Sequence, residues 1–205
     1  EQEKLAELDR LGEEGKLVLS TDDLVKKYRQ RTVVNHVSIN VHQGEIVGLL
    51  GPNGAGKTTA IRIILGMLSR NSGEVLWNGR PLSPVTEKVG YLAEERGLYP
   101  KYKIGEQLTY FAKLRGMRRP DIDKSLEYWF KRLELRGYED KRAEQLSKGN
   151  QQKVQLVAAL VADPGLLILD EPTSGLDPVS REQLLELFMG LSQKGKTLSL
   201  KHNRS

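Results

Sequence analysis

Apolar residues follow two different periods along this chain. Between residues 17 and 50 they alternate with polar ones. Leu17–Ser20, Val33–Val41 and Glu45–Leu50 therefore read as strands of an antiparallel arrangement, with a hairpin break at His42-Gln43-Gly44. Val75-Leu76-Trp77 is a further strand, and Asn78-Gly79 after it is a strong tight-turn signal. From about residue 101 to 163 the period lengthens to that of a helix. Ile104, Leu108 and Phe111 share one face, and Leu126, Trp129, Phe130 and Leu133 share another. Gly116 and Pro120 punctuate the two helices, and their aromatic residues read as core. Leu166–Leu169 is a short unbroken apolar run, the pattern of a central parallel strand covered on both faces. Strands of both kinds with a helical middle make this an α/β chain.

Residues 1–16 break the pattern. They are highly charged, with Leu5, Leu8 and Leu11 forming one thin stripe, and read as a solvated extension. The remaining length suits one domain with a sizeable core. No run approaches the eighteen apolar residues of a membrane span, and no secretory leader is visible. The sequence has no cysteine, which excludes disulfides and Cys-ligated metals and suits a reducing compartment. Thirty-two basic and 27 acidic residues leave a net charge of +5, mostly interspersed. That is too mild for a nucleic-acid partner, and no basic stripe interleaved with aromatics accompanies it. It is compatible with docking near anionic lipid headgroups. His36 and His42 lie in the strand region without ligand spacing and read as surface or edge-strand residues.

The chemistry concentrates in three segments. Residues 51–58, Gly-Pro-Asn-Gly-Ala-Gly-Lys-Thr, form a complete G-x-x-x-x-G-K-[ST] phosphate loop. An apolar strand precedes it and the helix-like run from Thr59 follows, which is the context the motif needs. The glycines Gly51, Gly54 and Gly56, with Asn53 and Ala55, turn backbone N–H groups toward phosphate oxygens. Lys57 reaches the β/γ-phosphates, and Thr58 offers its hydroxyl to Mg²⁺. Downstream, the buried run 166–169 ends in Asp170-Glu171-Pro172. Two acids at the mouth of a buried strand are costly unless they serve a cation or a reaction. The first is placed to hold Mg²⁺ and the second to polarise an attacking water. Between the two segments, Leu146-Ser147-Lys148-Gly149-Asn150-Gln151-Gln152 opens a helix with Ser147 as its N-cap.

In this combination the chain resembles the ATP-binding cassette (ABC) ATPases over roughly residues 17–200. The resemblance implies a P-loop NTPase core of the ABC type, with an antiparallel β subdomain and a helical subdomain at about residues 101–163. It makes Leu146–Asn150 a variant of the LSGGQ signature, with Lys148 and Asn150 replacing the common Gly and Gln. By the same resemblance Tyr28 stacks on adenine, and Thr59 completes the phosphate grip. Glu94 stands where the Q-loop usually has Gln and can still contact Mg²⁺ or its water. Ser174-Gly175-Leu176-Asp177 matches the D-loop at a dimer interface, and Asp177-Pro178 starts the next helix.

The resemblance further implies an ATP- and Mg²⁺-dependent ATPase that pairs head to tail with a second copy or a homologous ATPase. Ser147, Lys148, Gly149 and Asn150 then serve the partner's nucleotide. The expected role is motor subunit of an exporter, at the inner face of the cell membrane, coupled to transmembrane permease chains through the surface near Glu94–Lys103. Residues 17–59 look most like lipopolysaccharide-export ATPases and residues 88–178 like sodium/drug exporters, so the cargo stays open. The competing readings are a non-transport ABC ATPase acting on ribosomes or DNA, and a cassette that binds without efficient turnover. The last arises because His202, the candidate γ-phosphate sensor, arrives one residue early on a strand, Leu198–Lys201, that is less apolar than usual. By the family pattern, the final strand and helices are missing after it.

Overall fold

The computed structural model describes residues 17–42, 46–50, 56–81, 89–92, 98–170, 173, 176–193 and 197–202. Two compact units divide the chain: residues 1–87 with 189–205, and residues 88–188.

In the first unit, β1 (Leu17–Tyr28) and β2 (Arg31–His42) form a long antiparallel hairpin. β4 (Ser72–Trp77) and β5 (Arg80–Pro81) extend it to a sheet of order β2-β1-β4-β5. Asn78 (φ 50°) and Gly79 (φ 76°) both take the left-handed region between β4 and β5, as a two-residue hairpin turn requires. β1 runs well past the expected Ser20. A bulge explains why its alternation fades: the register shifts between Thr21 and Leu24. Thr21 is 2 % exposed, and its hydroxyl donates to Val37 O (3.2 Å) while accepting from Ile39 N (2.9 Å). Asp23 and His36, both at positive φ, join across the bulge (Nδ1–Oδ1 2.5 Å) on the exposed side. Beyond the bulge Leu24 and Val25 return to the core with Leu19, Val34 and Val75.

The expectation for Glu45–Leu50 needs correction. β3 (Ile46–Leu50) does not join the antiparallel strands; it pairs in parallel with β8 (Thr197–His202), with Leu50 opposite His202. Ile46-Val47-Gly48-Leu49-Leu50 is continuous rather than alternating, the pattern of a parallel strand covered on both faces. α1 (Lys57–Ile64) follows, burying Ala60, Ile61, Ile63 and Ile64.

In the second unit, β6 (Val89–Leu92) and β7 (Leu166–Asp170) pair in parallel, and every residue of β7 is buried. Between them come α2 (Ile104–Leu114), α3 (Arg119–Arg132), a 3₁₀ turn (Ala143–Gln145) and α4 (Lys148–Leu160). α5 (Pro178–Gln193) follows β7, and the boundary between the units falls within it. Ile104 and Leu108 of α2, Ile122 of α3 and Val154 and Val157 of α4 are fully buried. Gly116 (φ 80°) ends α2, and Pro120 sits in the first turn of α3, where its missing N–H costs nothing. The Ser125 hydroxyl donates to Val161 O (2.7 Å), tying α3 to the end of α4. Gly90 lets β6 meet α4 closely: a Cβ there would lie 2.5 Å from Ala159 O.

Gln107 is the buried polar hub of the helical segment, 4 % exposed. Its Oε1 accepts from Tyr99 N (3.0 Å), and its Nε2 donates to Tyr99 O (3.2 Å) and Tyr102 O (3.1 Å). Replacing it with Leu strands three backbone groups. Gln107→Leu is expected to lose about 2–4 kcal/mol, read as a lowered urea midpoint. A midpoint equal to that of the parent would mean water replaces the amide.

Candidate functional site

Gly56 caps α1 at φ 86°, a conformation that L side chains rarely adopt. A Cβ there would overlap the Val33 carbonyl oxygen of β2, so residue 56 is doubly restricted to glycine. The first turn of α1 is thereby fixed, and its leading N–H groups have no acceptor within the helix. Lys57 is 8 % exposed, Thr58 and Thr59 are half-buried, and no acidic residue sits in the first turn. A fixed helix start with a near-buried cation is an anion cradle. Gly51, Asn53, Gly54 and Ala55 lie outside the described residues.

Tyr28 ends β1 at the tip of the hairpin, opposite Arg31, with 48 % of its surface exposed. Lys26 Nζ lies 5.1 Å from its ring centroid and also donates to Ser69 Oγ (3.3 Å). The ring is thus held at one place yet open to solvent. His202 is the last residue of β8.

The second unit holds Asp170 and the signature. Asp170, 2 % exposed, closes β7. Glu171 and Glu94 lie outside the described residues, as do Ser174 and Gly175. Ser147 caps α4 as expected, its Oγ accepting from Asn150 N (3.2 Å). Gln151 adds a support that the motif reading missed. Its Nε2 donates to Ala143 O (2.9 Å) and Leu146 O (3.3 Å), tying the turn before Ser147 to the helix itself. Lys148 is exposed, and Gly149 and Asn150 are half-buried.

Asp177 caps α5. Its Oδ1 accepts from Ser180 Oγ (2.7 Å) and its Oδ2 from Ser180 N (3.1 Å). These bonds, the Ser180 hydroxyl foremost, hold the carboxyl below the usual aspartate range. What this cap contributes to folding is therefore present above the ordinary aspartate pKa and lost as pH falls through the lowered one. Signature and D-loop meet here: a Cβ on Gly149 would stand 3.8 Å from both Leu176 Cδ2 and Ser180 Oγ. No spacing rule signals Gln151 or Ser180, because each acts through backbone groups brought near by folding.

Among the described residues no three His, Cys, Asp or Glu side chains cluster as a metal site. Each unit, taken by itself, offers one hard oxygen donor of the kind Mg²⁺ takes: the Thr58 hydroxyl in the first and the Asp170 carboxylate in the second.

The ABC transporter family model matches residues 34–174. An uncharacterized ABC transporter ATP-binding protein of Bacillus subtilis, YhaQ, is 45% identical over 91% of this chain and 63% of its own length. The Nod factor export ATP-binding protein I of Paraburkholderia xenovorans is 38% identical over 87% of this chain and 60% of its own. The chain thus spans less than two thirds of the length of these curated relatives. A solved ATP-binding subunit of an ABC transporter superposes with a TM-score of 0.81 at 32% identity, covering 91% of this chain and 79% of that one. The chain belongs to the ABC transporter family, as an ATP-binding cassette.

Proposed function

We propose that this chain is the ATP-hydrolysing motor part of an ABC exporter. It binds ATP with Mg²⁺, pairs head to tail with a second cassette, and drives separate membrane-spanning permease chains. The observation that carries this reading is the junction at Gly56, where a complete phosphate loop enters a helix whose first turn is locked against β2. Export is supported by one relative, the Nod factor export ATP-binding protein I.

In this reading the N–H groups of residues 51–58 hold the phosphate chain and Lys57 neutralises the β/γ oxygens. Tyr28 stacks on adenine. Thr58 and Asp170 would hold Mg²⁺, with Glu94 on the ion or its water; when bound, it would supply charge withdrawal from the phosphate oxygens. Glu171 orients and polarises a water. The water oxygen attacks the γ-phosphorus, the bond to the ADP oxygen breaks, and the water's proton leaves to Glu171 or phosphate. His202 senses the γ-phosphate. Ser147 accepts a bond from its own helix, so its hydroxyl proton is free to donate to the partner's γ-phosphate, beside Gly149 and Asn150. Ser174, Gly175, Leu176 and Asp177 line the cassette–cassette seam.

No described helix is long and apolar enough to cross a membrane. In this reading the permease is a separate chain and docks on the surface near Glu94–Lys103. That surface carries the exposed rings of Tyr99, Tyr102 and Tyr110 around a cavity of about 440 Å³. The cassette sits peripherally at the inner face of the cell membrane.

The composite site has a direct test. Chains carrying Lys57→Ala, mixed with chains carrying Ser147→Arg, form mixed pairs in which one of the two sites has neither lesion. ATPase activity of the mixture above that of either parent is expected, with pair formation verified by crosslinking. Verified mixed pairs that stay as inactive as the parents would remove the support for a site shared between chains.

A further inference from the structure

We infer that Lys26 is a positioning residue for the nucleotide base: its ammonium lies against one face of the Tyr28 ring and holds that ring with the opposite face open to adenine. This rests on the reading of Tyr28 as the stacking residue and goes beyond it, to the side chain that sets where the stack forms.

A lysine is rarely placed as this one is. Lys26 is 9 % exposed, although lysine is almost never buried without a partner for its charge. Among the described residues no carboxylate pairs with it. Its Nζ instead donates to the Ser69 hydroxyl (3.3 Å) and stands 5.1 Å from the Tyr28 ring centroid. The negative face of an aromatic ring attracts a cation within about 6 Å, more strongly where water is excluded. Tyr28 itself stays half-open to solvent. The ammonium thus takes one face, and the exposed part of the ring is left for a second flat group. A ring already held loses less freedom when a base arrives, so more of the stacking energy appears as affinity.

The strand under the ring is tied to α1 at both ends of that helix. After α1, Asn71 N donates to Val25 O (2.8 Å) and Lys27 N donates to Asn71 Oδ1 (2.7 Å), while Lys26 reaches Ser69. Before α1, a Cβ on Gly56 would overlap the Val33 carbonyl oxygen. The hairpin pairs Val34 with Lys26 and Thr32 with Lys27, so Val33 lies across from the same two lysines. The strand end that carries Tyr28 and the helix that opens at Lys57 are therefore braced against each other. Lys26 carries that bracing on to the ring. Without the ammonium the strand keeps its ties, but the Tyr28 side chain is free to change rotamer. The loss then falls on the base and spares the phosphates.

The test is calorimetric titration of the full chain with ATP and with inorganic tripolyphosphate, both with Mg²⁺. Tripolyphosphate offers the phosphates without a base. Lys26→Met keeps an unbranched stem and removes the charge. It is expected to weaken ATP binding about fivefold and to leave tripolyphosphate affinity unchanged. Lys26→Arg, whose guanidinium also stacks on rings, should restore most of the ATP affinity. Ser69→Ala loosens the ammonium without removing it and should give a smaller loss in the same direction; where Lys26→Met does not fold, it carries the same comparison. Tyr28→Leu should weaken ATP binding by itself, and adding Lys26→Met to it should weaken it no further, because the lysine acts through the ring. Parent-like ATP affinity in Lys26→Met and Ser69→Ala, with Tyr28→Leu weakened, would overturn this inference alone. So would equal losses for ATP and tripolyphosphate, or a double variant in which the two losses multiply. Parent-like ATP affinity in Tyr28→Leu would overturn the stacking reading and this inference together.

Discussion

Glu171→Gln is expected to lower ATP turnover about 10²–10⁴-fold while leaving ATP binding intact. The substitution keeps size and hydrogen bonding but removes the charge that polarises the attacking water. Its place in the sequence gives the reason for the split. Glu171 directly follows Asp170, the buried residue that closes β7. In the proposed mechanism the first acid would hold the metal and the second would act on the water. The variant should therefore accumulate as ATP-held pairs, visible by size-exclusion chromatography and absent with ADP. Steady-state turnover equal to the parent's would move the catalytic role to another residue.

The second large effect is expected at Lys57. Lys57→Ala should weaken ATP binding by about 100-fold or more, since a near-buried charge facing the phosphates is lost. Calorimetric titration with ATP and with adenosine separates the causes. Adenosine carries no phosphates, so a local effect at Lys57 leaves its affinity unchanged. Equal loss for both ligands would point to general damage to the fold. Unchanged ATP affinity would sink the phosphate-loop assignment at this residue.

Much of the site was legible because its signals are local. Gly56 reads as the last glycine of a phosphate loop that opens a helix, and α1 starts at Lys57 directly after it. Ser147 before a helical run reads as an N-cap, and it caps. Asp177-Pro178 reads as a helix start, and α5 begins at Pro178. Asn78-Gly79 reads as a hairpin turn for the same reason. The losses came where the fold acts across distance. β1 hid its second half behind Asp22-Asp23, because a bulge resets the two-residue alternation on which strand reading depends. β3 was grouped with the wrong sheet, since a five-residue apolar run carries no mark of its partner, and that partner lies about 150 residues further along the chain. Gln107 and Gln151 look like ordinary surface polar residues in helices. Only the folded chain shows that each holds carbonyls of a neighbouring turn.

Gly90 has a reach beyond its own strand. A Cβ at position 90 would lie 2.5 Å from the carbonyl oxygen of Ala159, near one end of α4, and Ser147 caps the other. The helix, 13 residues long, acts as a stiff rod of about 20 Å. Helices shorten or stretch far less readily than loops bend, so a push at one end arrives at the other. One methyl group added at position 90 is therefore a wedge under the rod: it tilts or slides the signature tip without altering a single atom of that motif.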